Sequence, residues 1–150
     1  MKIRRAKKED IKPIIAMWAT DKNSIGLEKH EPELSPNYLE AFNAISKDSN
    51  QYLMVIEDNG QLVGSLHLSI IQYLFRHARK VALLEAVIVK EERRAQGIGE
   101  QLIQWAVTKS KERGAYLIEL TSNKNRDQAH SFYKKLGFAQ SHEGFKLKLT

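Results

Sequence analysis

The segment from Val81 to Ile103 constrains the fold of this chain more than any other. It begins with the apolar run VALLEAVIV, in which Glu85 is the single charged residue, and continues through KEERRAQ into a periodic apolar stretch containing GIG. This pattern predicts a strand buried on both faces, followed by a helix that begins near Gly97. Glycine lowers the stability of a helix by about 1 kcal/mol relative to alanine, so the presence of Gly97 and Gly99 at the start of one requires a physical explanation.

A bound anion is one reason for glycines at this position. The first turn of a helix exposes unpaired N–H groups and the positive end of the helix dipole, and residues without a Cβ let a phosphate approach closely. Arg93 and Arg94 add positive charge nearby. Two nucleotide motifs are excluded, because GIGEQL lacks the third glycine of the dinucleotide fingerprint and the chain contains no G-x-x-x-x-G-K-[ST]. The alternative is that the glycines only ease a tight turn from strand to helix.

Capping and turn residues predict the elements on either side of this segment. Asp10 is expected to cap the first helix, and Ser35 with Pro36 to begin the second. Asn59-Gly60 predicts a hairpin turn, because a tight primed turn requires positive φ values.

The last part of the chain predicts one more helix and two short strands. Asn125 is expected to open the helix, with Gln128 three residues on, and the strand candidates are FAQSH and FKLKL. The whole pattern predicts one α+β domain over residues 1–150, in the order β-α-α-β-β-β-α-β-α-β-β. Its mixed central sheet would have about seven strands, flanked by about four helices.

Composition narrows the class of protein. The formal charge of +6 is compatible with an anionic partner, and equally with a basic surface that binds no partner. The absence of cysteine excludes disulfides and thiolate metal sites. No apolar run reaches the ~18 residues of a membrane span, so we expect a cytoplasmic protein without a membrane partner. We also expect no bound metal, because no two histidines are spaced i, i+4; they are His30, His67, His77, His130 and His142.

Two motifs resemble those of a known family. RAQGIG, from Arg94 to Gly99, and AHSFYKKLGF, from Ala129 to Phe138, are similar to the two signatures of the GNAT superfamily of acyl-CoA N-acyltransferases. The predicted order of elements is also the GNAT order. Within that superfamily, the stretch ELTSNKNRDQAHSFYKKLGFAQSH is most similar to small-molecule N-acetyltransferases of the aminoalkylphosphonate type. The resemblance implies the GNAT fold and an N-acetyltransferase with acetyl-CoA as co-substrate.

The resemblance also implies where the coenzyme lies. Acyl-CoA would occupy a V-shaped opening between VALLEAVIV and AYLIELT, with its pantetheine arm on the first strand and its pyrophosphate at the start of the following helix. Many GNAT sequences carry Asn three residues before the alanine of the second motif, where this chain has Arg126, so the contact falls to Asn125 or Arg126. The implied coenzyme-binding residues are Val87, Ile88, Val89, Arg94, Gln96, Gly97, Ile98, Gly99, Glu100, Asn125 and Arg126.

Acetyl transfer to an amine needs a base for the amine and an acid for the departing thiolate. Glu85 is the candidate base, acting through water, because a carboxylate in a buried strand is costly unless it has a partner or faces a cleft. His67 is the second candidate base, and either residue could instead be purely structural. The resemblance places Tyr133 beside the coenzyme sulfur, where a phenol with a pKa of ~10 could donate a proton. The alternative is that Tyr133 is a core aromatic.

The expected function is transfer of an acetyl group from acetyl-CoA to a primary amine of a small molecule. The acidic stretch from Glu28 to Glu40 could attract a cationic amine and the basic connection FRHARK an anionic group, so the acceptor stays open. We expect no nucleic acid as a partner, and a homodimer is left open. The alternatives are a protein lysine or N-terminal acetyltransferase, a basic nucleic-acid-binding domain, and an acyl-CoA sensor without turnover.

Overall fold

A computed structural model of this chain describes residues 1–22 and 33–150, which fall into a larger unit, Met1–Glu119, and a smaller unit, Leu120–Thr150. The first part of the acidic stretch expected to attract the amine, including Glu28 and Glu31, lies outside the described residues, as does His30. The prediction of one domain over residues 1–150 stays a prediction.

The larger unit is built on a sheet whose five strands lie in sequence order. The first four pair antiparallel, and the fifth runs parallel to the fourth. The strands are β1 (Lys2–Arg5), β2 (Gln51–Asp58), β3 (Gln61–Gln72), β4 (Lys80–Val89) and β5 (Ala115–Glu119). The predicted hairpin between β2 and β3 is confirmed, because Asn59 and Gly60 turn the chain with φ values of 49° and 77°.

The four predicted helices are confirmed, and a short turn adds a fifth element. They are α1 (Ile11–Thr20), α2 (Pro36–Lys47), α3 (Phe75–Ala78), α4 (Ile98–Glu112) and α5 (Asp127–Lys135). Ser35 and Pro36 begin α2 as predicted. The parallel neighbours β4 and β5 need a crossover connection, and α4 supplies it. Within the described residues, no helix is long and apolar enough to cross a membrane.

Helices α1 and α4 lie against opposite faces of the sheet. Ile14 of α1 packs in one core cluster with Val55, whereas Leu102 of α4 approaches Gly64 and the neighbouring Ile56. Successive strand residues point to opposite faces, so Val55 and Ile56 mark the two sides. Gly64 is required there, because an added Cβ would lie 2.8 Å from a backbone oxygen of β4 and 3.2 Å from Leu102.

Asp10 lies at the start of α1 but does not cap that helix with its side chain. Its carboxylate accepts the Lys7 N–H at 2.7 Å and two bonds from the Arg4 guanidinium, at 2.6 and 3.1 Å. Arg4 also donates to Glu57 at 2.9 Å, which ties β1 to β2. Burial alone would raise the pKa of Asp10, but the bonds from Arg4 and Lys7 outweigh burial and hold that pKa below its usual range. The expected cap is therefore part of a buried ion-pair network.

The basic connection FRHARK forms the short turn α3, which is left-handed. Arg76, His77 and Ala78 have φ values of 54°, 61° and 53°, a conformation that costs roughly 1–2 kcal/mol per residue for L-amino acids. Arg76 donates a hydrogen bond to the Tyr116 hydroxyl, and the guanidinium groups of Arg76 and Arg79 lie 5.8 and 5.3 Å from the Tyr116 ring centre. These contacts offset part of the strain.

Two predictions for the smaller unit were wrong. Asn125 does not begin the last helix, because its N–H bonds the Asn123 side chain at 3.0 Å in a turn, and Arg126 occupies the N-cap position of α5. The segments FAQSH and FKLKL form no strand in the described chain, where the sheet has five strands instead of about seven. A strand needs a hydrogen-bonded partner, which alternation of apolar residues cannot supply. The α+β class and the mixed sheet are confirmed.

Candidate active site

Strand β4 carries one more residue than β3 near the middle of the sheet. On β3 only Leu66 lies between two regular pairs, whereas on β4 both Ala86 and Val87 fill the same interval. Ala86 has a φ of 53°, a left-handed conformation that is uncommon for a residue with a side chain. Such a β-bulge leaves a backbone group outside the ladder, and the strain costs of order 1–3 kcal/mol. Nothing in the sequence predicts this strained residue, because alanine is not a residue type that favours a positive φ.

Strand β5 pairs with only the first part of β4. Pairing between these strands ends at Leu83 and Glu119, where β5 itself ends, while β4 continues to Val89. Within the larger unit, β5 therefore offers no ladder partner to residues 84–89. An extended ligand that carries amide groups can pair with such an edge as an added strand does.

The three predicted coenzyme-binding residues on this edge differ in burial. Val87 and Val89 are partly buried, whereas the Ile88 side chain is 3% exposed and packs in the core against α1. Ile88 can therefore contribute only its backbone to a ligand. The bulge and the edge that β5 leaves unpaired fall on the same stretch of β4, which makes this stretch the candidate site.

Helix α4 begins where the glycine pattern predicted. Gly97 is its N-cap residue, with a φ of 77°, and an added Cβ would meet nothing within 4 Å. The glycine is explained by its left-handed backbone, and the space in front of it is open to a ligand. The Ile98 side chain is 1% exposed, so it anchors the helix and leaves only its N–H available. The first-turn N–H groups, including those of Gly99 and Glu100, have no acceptor inside the helix.

The two arginines before α4 are held by carboxylates of the larger unit. Arg94 contacts Asp21 at 3.1 Å and donates to the Val89 carbonyl at 3.1 Å, and Arg93 contacts Asp58 at 2.7 Å. The expectation that both arginines add positive charge near an anion stays a prediction, and each guanidinium already has an acidic partner. The Gln96 side chain is also engaged, with Arg93 and the Glu92 carbonyl at 3.1 and 3.3 Å. An anion at this loop would therefore depend chiefly on backbone N–H groups and the α4 dipole.

Glu85 and His67 lie opposite each other on β4 and β3. Glu85 is exposed, so the prediction that VALLEAVIV is buried on both faces was wrong at this position. Exposure removes the cost that first singled out Glu85, yet it leaves the carboxylate accessible beside the bulge. His67 is largely enclosed, and burial lowers the pKa of its imidazole. Its Nε2 is buried and has no hydrogen-bond partner within residues 1–22 and 33–150.

The basic connection FRHARK lies too far from this site to hold part of a small substrate. It ends at Lys80, the first residue of β4, whereas the bulge includes Val87. Seven strand residues at about 3.3 Å each span roughly 23 Å. The expected role of FRHARK in binding an anionic group of the acceptor is therefore not supported.

The remaining predicted residues lie in the smaller unit. Tyr133 is on α5 and partly buried, with its ring 5.2 Å from that of Phe132 and 5.6 Å from that of Phe138. Asn125 is exposed, and Arg126 is partly buried at the start of α5. No group of three or more His, Asp or Glu side chains that could hold a metal ion occurs in the described parts of the chain.

Comparison with known proteins gives the class of this protein. The chain belongs to the acetyltransferase (GNAT) family, whose model matches residues 11–138. It is an acetyl-CoA-dependent N-acetyltransferase. The family match confirms the resemblance that the two sequence motifs indicated.

Individual relatives give a finer comparison. The chain is 32% identical to the aminoalkylphosphonate N-acetyltransferase of Salmonella typhimurium over 146 residues, 93% of this chain and 94% of that protein. It is 34% identical over 87 residues to the glucosamine 6-phosphate N-acetyltransferase of Trypanosoma brucei brucei, 58% of this chain and 56% of that protein. The crystal structure of a protein named as a transcriptional regulator, from Bacillus halodurans C-125, matches with a TM-score of 0.95 and 38% identity, over 99% of both chains.

Proposed function

We propose that the chain acetylates a primary amine of a small molecule by direct attack of the amine on the thioester of acetyl-CoA. In this proposal the pantetheine arm lies on Val87 and Val89, and the pyrophosphate lies at the first turn of α4. The observation that carries the proposal is the bulge at Ala86, beside an exposed Glu85 and on a strand edge that β5 leaves open beyond Leu83.

The chemistry needs two proton transfers and one site for a developing oxyanion. An alkylamine with a pKa of about 10.4 loses its proton at a cost of roughly 4 kcal/mol near pH 7. Glu85 takes this proton through a water molecule, and its exposure lets it pass the proton on to solvent. Backbone N–H groups at the bulge, around Val87, stabilise the oxyanion, and Tyr133 donates a proton to the departing thiolate.

The names of two relatives support a narrower class of acceptor. An aminoalkylphosphonate and glucosamine 6-phosphate each combine an amine with a phosphorus-containing anion. We therefore propose that the acceptor also carries a phosphonate or phosphate group. The cytoplasmic location expected from the sequence belongs to the same proposal.

A thiol-release assay with acetyl-CoA and matched amines tests this proposal. The pairs are 2-aminoethylphosphonate with ethylamine, and glucosamine 6-phosphate with glucosamine, beside polyamines and lysine peptides. We expect a higher kcat/KM for the phosphorus-containing member of a pair. Equal values within both pairs would remove the anionic group from the proposal, and preferred turnover of peptides would replace the small-molecule acceptor.

A regulatory protein is the second candidate, favoured by the name of the similar Bacillus halodurans protein. A regulator would bind acetyl-CoA without releasing thiol from any acceptor, and would bind duplex DNA with sequence preference. We expect instead weak DNA binding with a steep salt dependence, as for any basic surface. Titrations of duplex DNA at two salt concentrations separate the two candidates.

A further inference from the structure

His67 and Glu85 form a cross-strand pair beside the bulge. They are opposite each other in the register of β3 and β4, which places their side chains on the same face with Cβ atoms about 4.5–5.5 Å apart. The neighbours of His67 on that face in β2 and β3 are Leu53, Ser65 and Ser69, none of which titrates. Glu85 is therefore the charged group closest to His67 in the strand register.

The Nε2 atom of His67 is unusual because it is buried and has no partner among the described residues. Burial lowers the pKa of the ring, so the imidazole is neutral near pH 7 and carries one N–H. An unpaired buried polar atom is costly, and most such atoms in proteins have a partner. The unpaired Nε2 atom of His67 lies beside a strained strand with an accessible carboxylate. We infer from this position that Nε2 gains a hydrogen-bond partner when the enzyme works.

We propose that His67 is a positioning residue for Glu85, and that its Nε2–H donates a hydrogen bond to the Glu85 carboxylate in the working enzyme. This inference rests on the role of Glu85 as the base proposed above. Because the two residues already share a register pair, the bond requires no change in the pairing of β3 and β4. The bond holds the carboxylate at the bulge and favours its ionised form, which is the form that accepts a proton.

His67→Leu and His67→Gln test the inference by activity, with acetyl-CoA and 2-aminoethylphosphonate or whichever tested amine turns over fastest. Leucine removes the donor, and we expect kcat to fall about 10- to 100-fold, the loss typical of one bond to a charged group. The acidic limb of the kcat/KM profile should move to higher pH, because the ionised carboxylate loses its donor. KM for acetyl-CoA should not change. Glutamine keeps an N–H donor and should recover most of the activity.

Two controls separate this role from a structural one. His142→Leu makes the same replacement in the exposed C-terminal segment and should leave kcat and the pH profile unchanged. His67→Leu should be at least as stable to heat as the parent chain, because it removes an unpaired buried nitrogen. A fall in stability without a shift of the acidic limb would assign His67 to packing and overturn the inference.

Histidine NMR gives a readout that needs no acceptor. Long-range 15N–1H spectra at pH 7 should show His67 as the neutral tautomer protonated at Nε2. Glu85→Gln should shift the His67 signals and leave those of His77 and His142 in place. A ring protonated only at Nδ1 would contradict the proposed bond.

The double variant distinguishes failure of this inference from failure of the proposed function. If His67 acts through Glu85, His67→Leu combined with Glu85→Gln should be no worse than Glu85→Gln alone. Multiplying losses would show that His67 acts independently, which overturns the inference and leaves Glu85 as the base. Full activity of Glu85→Gln would overturn the base assignment itself, and the inference with it.

Discussion

Two buried polar groups of the larger unit have opposite environments. The carboxylate of Asp10 receives three hydrogen bonds, from Arg4 and the Lys7 N–H, and its pKa is lowered. Nε2 of His67 makes none in the described chain, and the pKa of its ring is lowered for a different reason, loss of solvation. The first environment stabilises a charge, whereas the second keeps a group neutral and unpaired.

The difference separates the part of the sheet that holds the fold from the part that performs chemistry. The Asp10 network joins β1, β2 and the start of α1, and none of its members, Arg4, Asp10 and Glu57, has a positive φ. His67 lies beside the bulge at Ala86, where β4 is strained and no longer pairs with β5. Substitutions in the first region should therefore cost stability, and substitutions around the second should cost turnover.

The largest expected effect is on turnover, from Tyr133→Phe in α5. The replacement keeps the ring and removes one proton donor, so kcat should fall by ~10²–10⁴, as is typical for loss of general acid catalysis. Binding of acetyl-CoA, measured by calorimetry, should persist. A variant with normal turnover would show that Tyr133 is only a packing residue and would place the acid elsewhere.

Glu85→Gln should lower kcat/KM by about 10² at neutral pH. The loss should shrink as rising pH deprotonates the amine without assistance. Because Glu85 is exposed, the melting temperature should stay within the range of an ordinary surface substitution. An unchanged pH profile would contradict the role of base, and a large loss of stability would break the division between the two regions.

Gly97→Glu should abolish the thermal stabilisation that acetyl-CoA gives the parent chain. A ligand at 100 times its Kd stabilises the native state by about 2.7 kcal/mol, and a carboxylate at the helix start repels the pyrophosphate. Gly97→Asn is the matched control, because asparagine tolerates the left-handed backbone at φ 77° and carries no charge. Thermal shifts of both variants, with and without acetyl-CoA, check the result; an undiminished shift in folded Gly97→Glu would exclude an anion site there.

Asp10→Asn should have the smallest effect, and it should appear in stability alone. Loss of bonds to a charged group costs about 2 kcal/mol, which for a chain of this size lowers the melting temperature by roughly 4–8 °C. The folded pKa of Asp10 is depressed, so its contribution is present above the unfolded pKa of ~3.9 and is lost as pH falls through the lower folded value. Denaturation at pH 7 and at pH 2–3 should show the parent chain losing this advantage over Asp10→Asn in acid. A kcat changed beyond twofold would contradict the comparison.

Features encoded by adjacent residues could be predicted from the sequence. The Asn59-Gly60 turn, Pro36 at the start of α2 and Gly97 at the start of α4 each depend on local backbone preferences, and all are confirmed. The two signature motifs belong to this class as well, because each lies within one loop and helix. They led to the correct family.

Features that depend on distant partners could not be predicted. Arg94 pairs with Asp21, which is far away in the sequence, and no local pattern indicates this partner. Asp10 was expected to serve α1, because nothing local indicates that Arg4 reaches back to it. The exposure of Glu85 has the same origin, since burial is decided by what packs on the strand and not by its neighbours along the chain.

The bulge in β4 determines which residues of that strand face the core. Glu85 and Ile88 lie on the same face of the sheet although they are three residues apart, an odd offset, because the strand is one residue longer than its pairing requires. Deletion of Ala86 would leave both residues on their present face and Ile88 in the core. The packing of the hydrophobic core therefore does not depend on the extra residue. A chain without Ala86 should keep the fold with a regular β3–β4 ladder. It would lose the bulge on which acetyl transfer is proposed to depend.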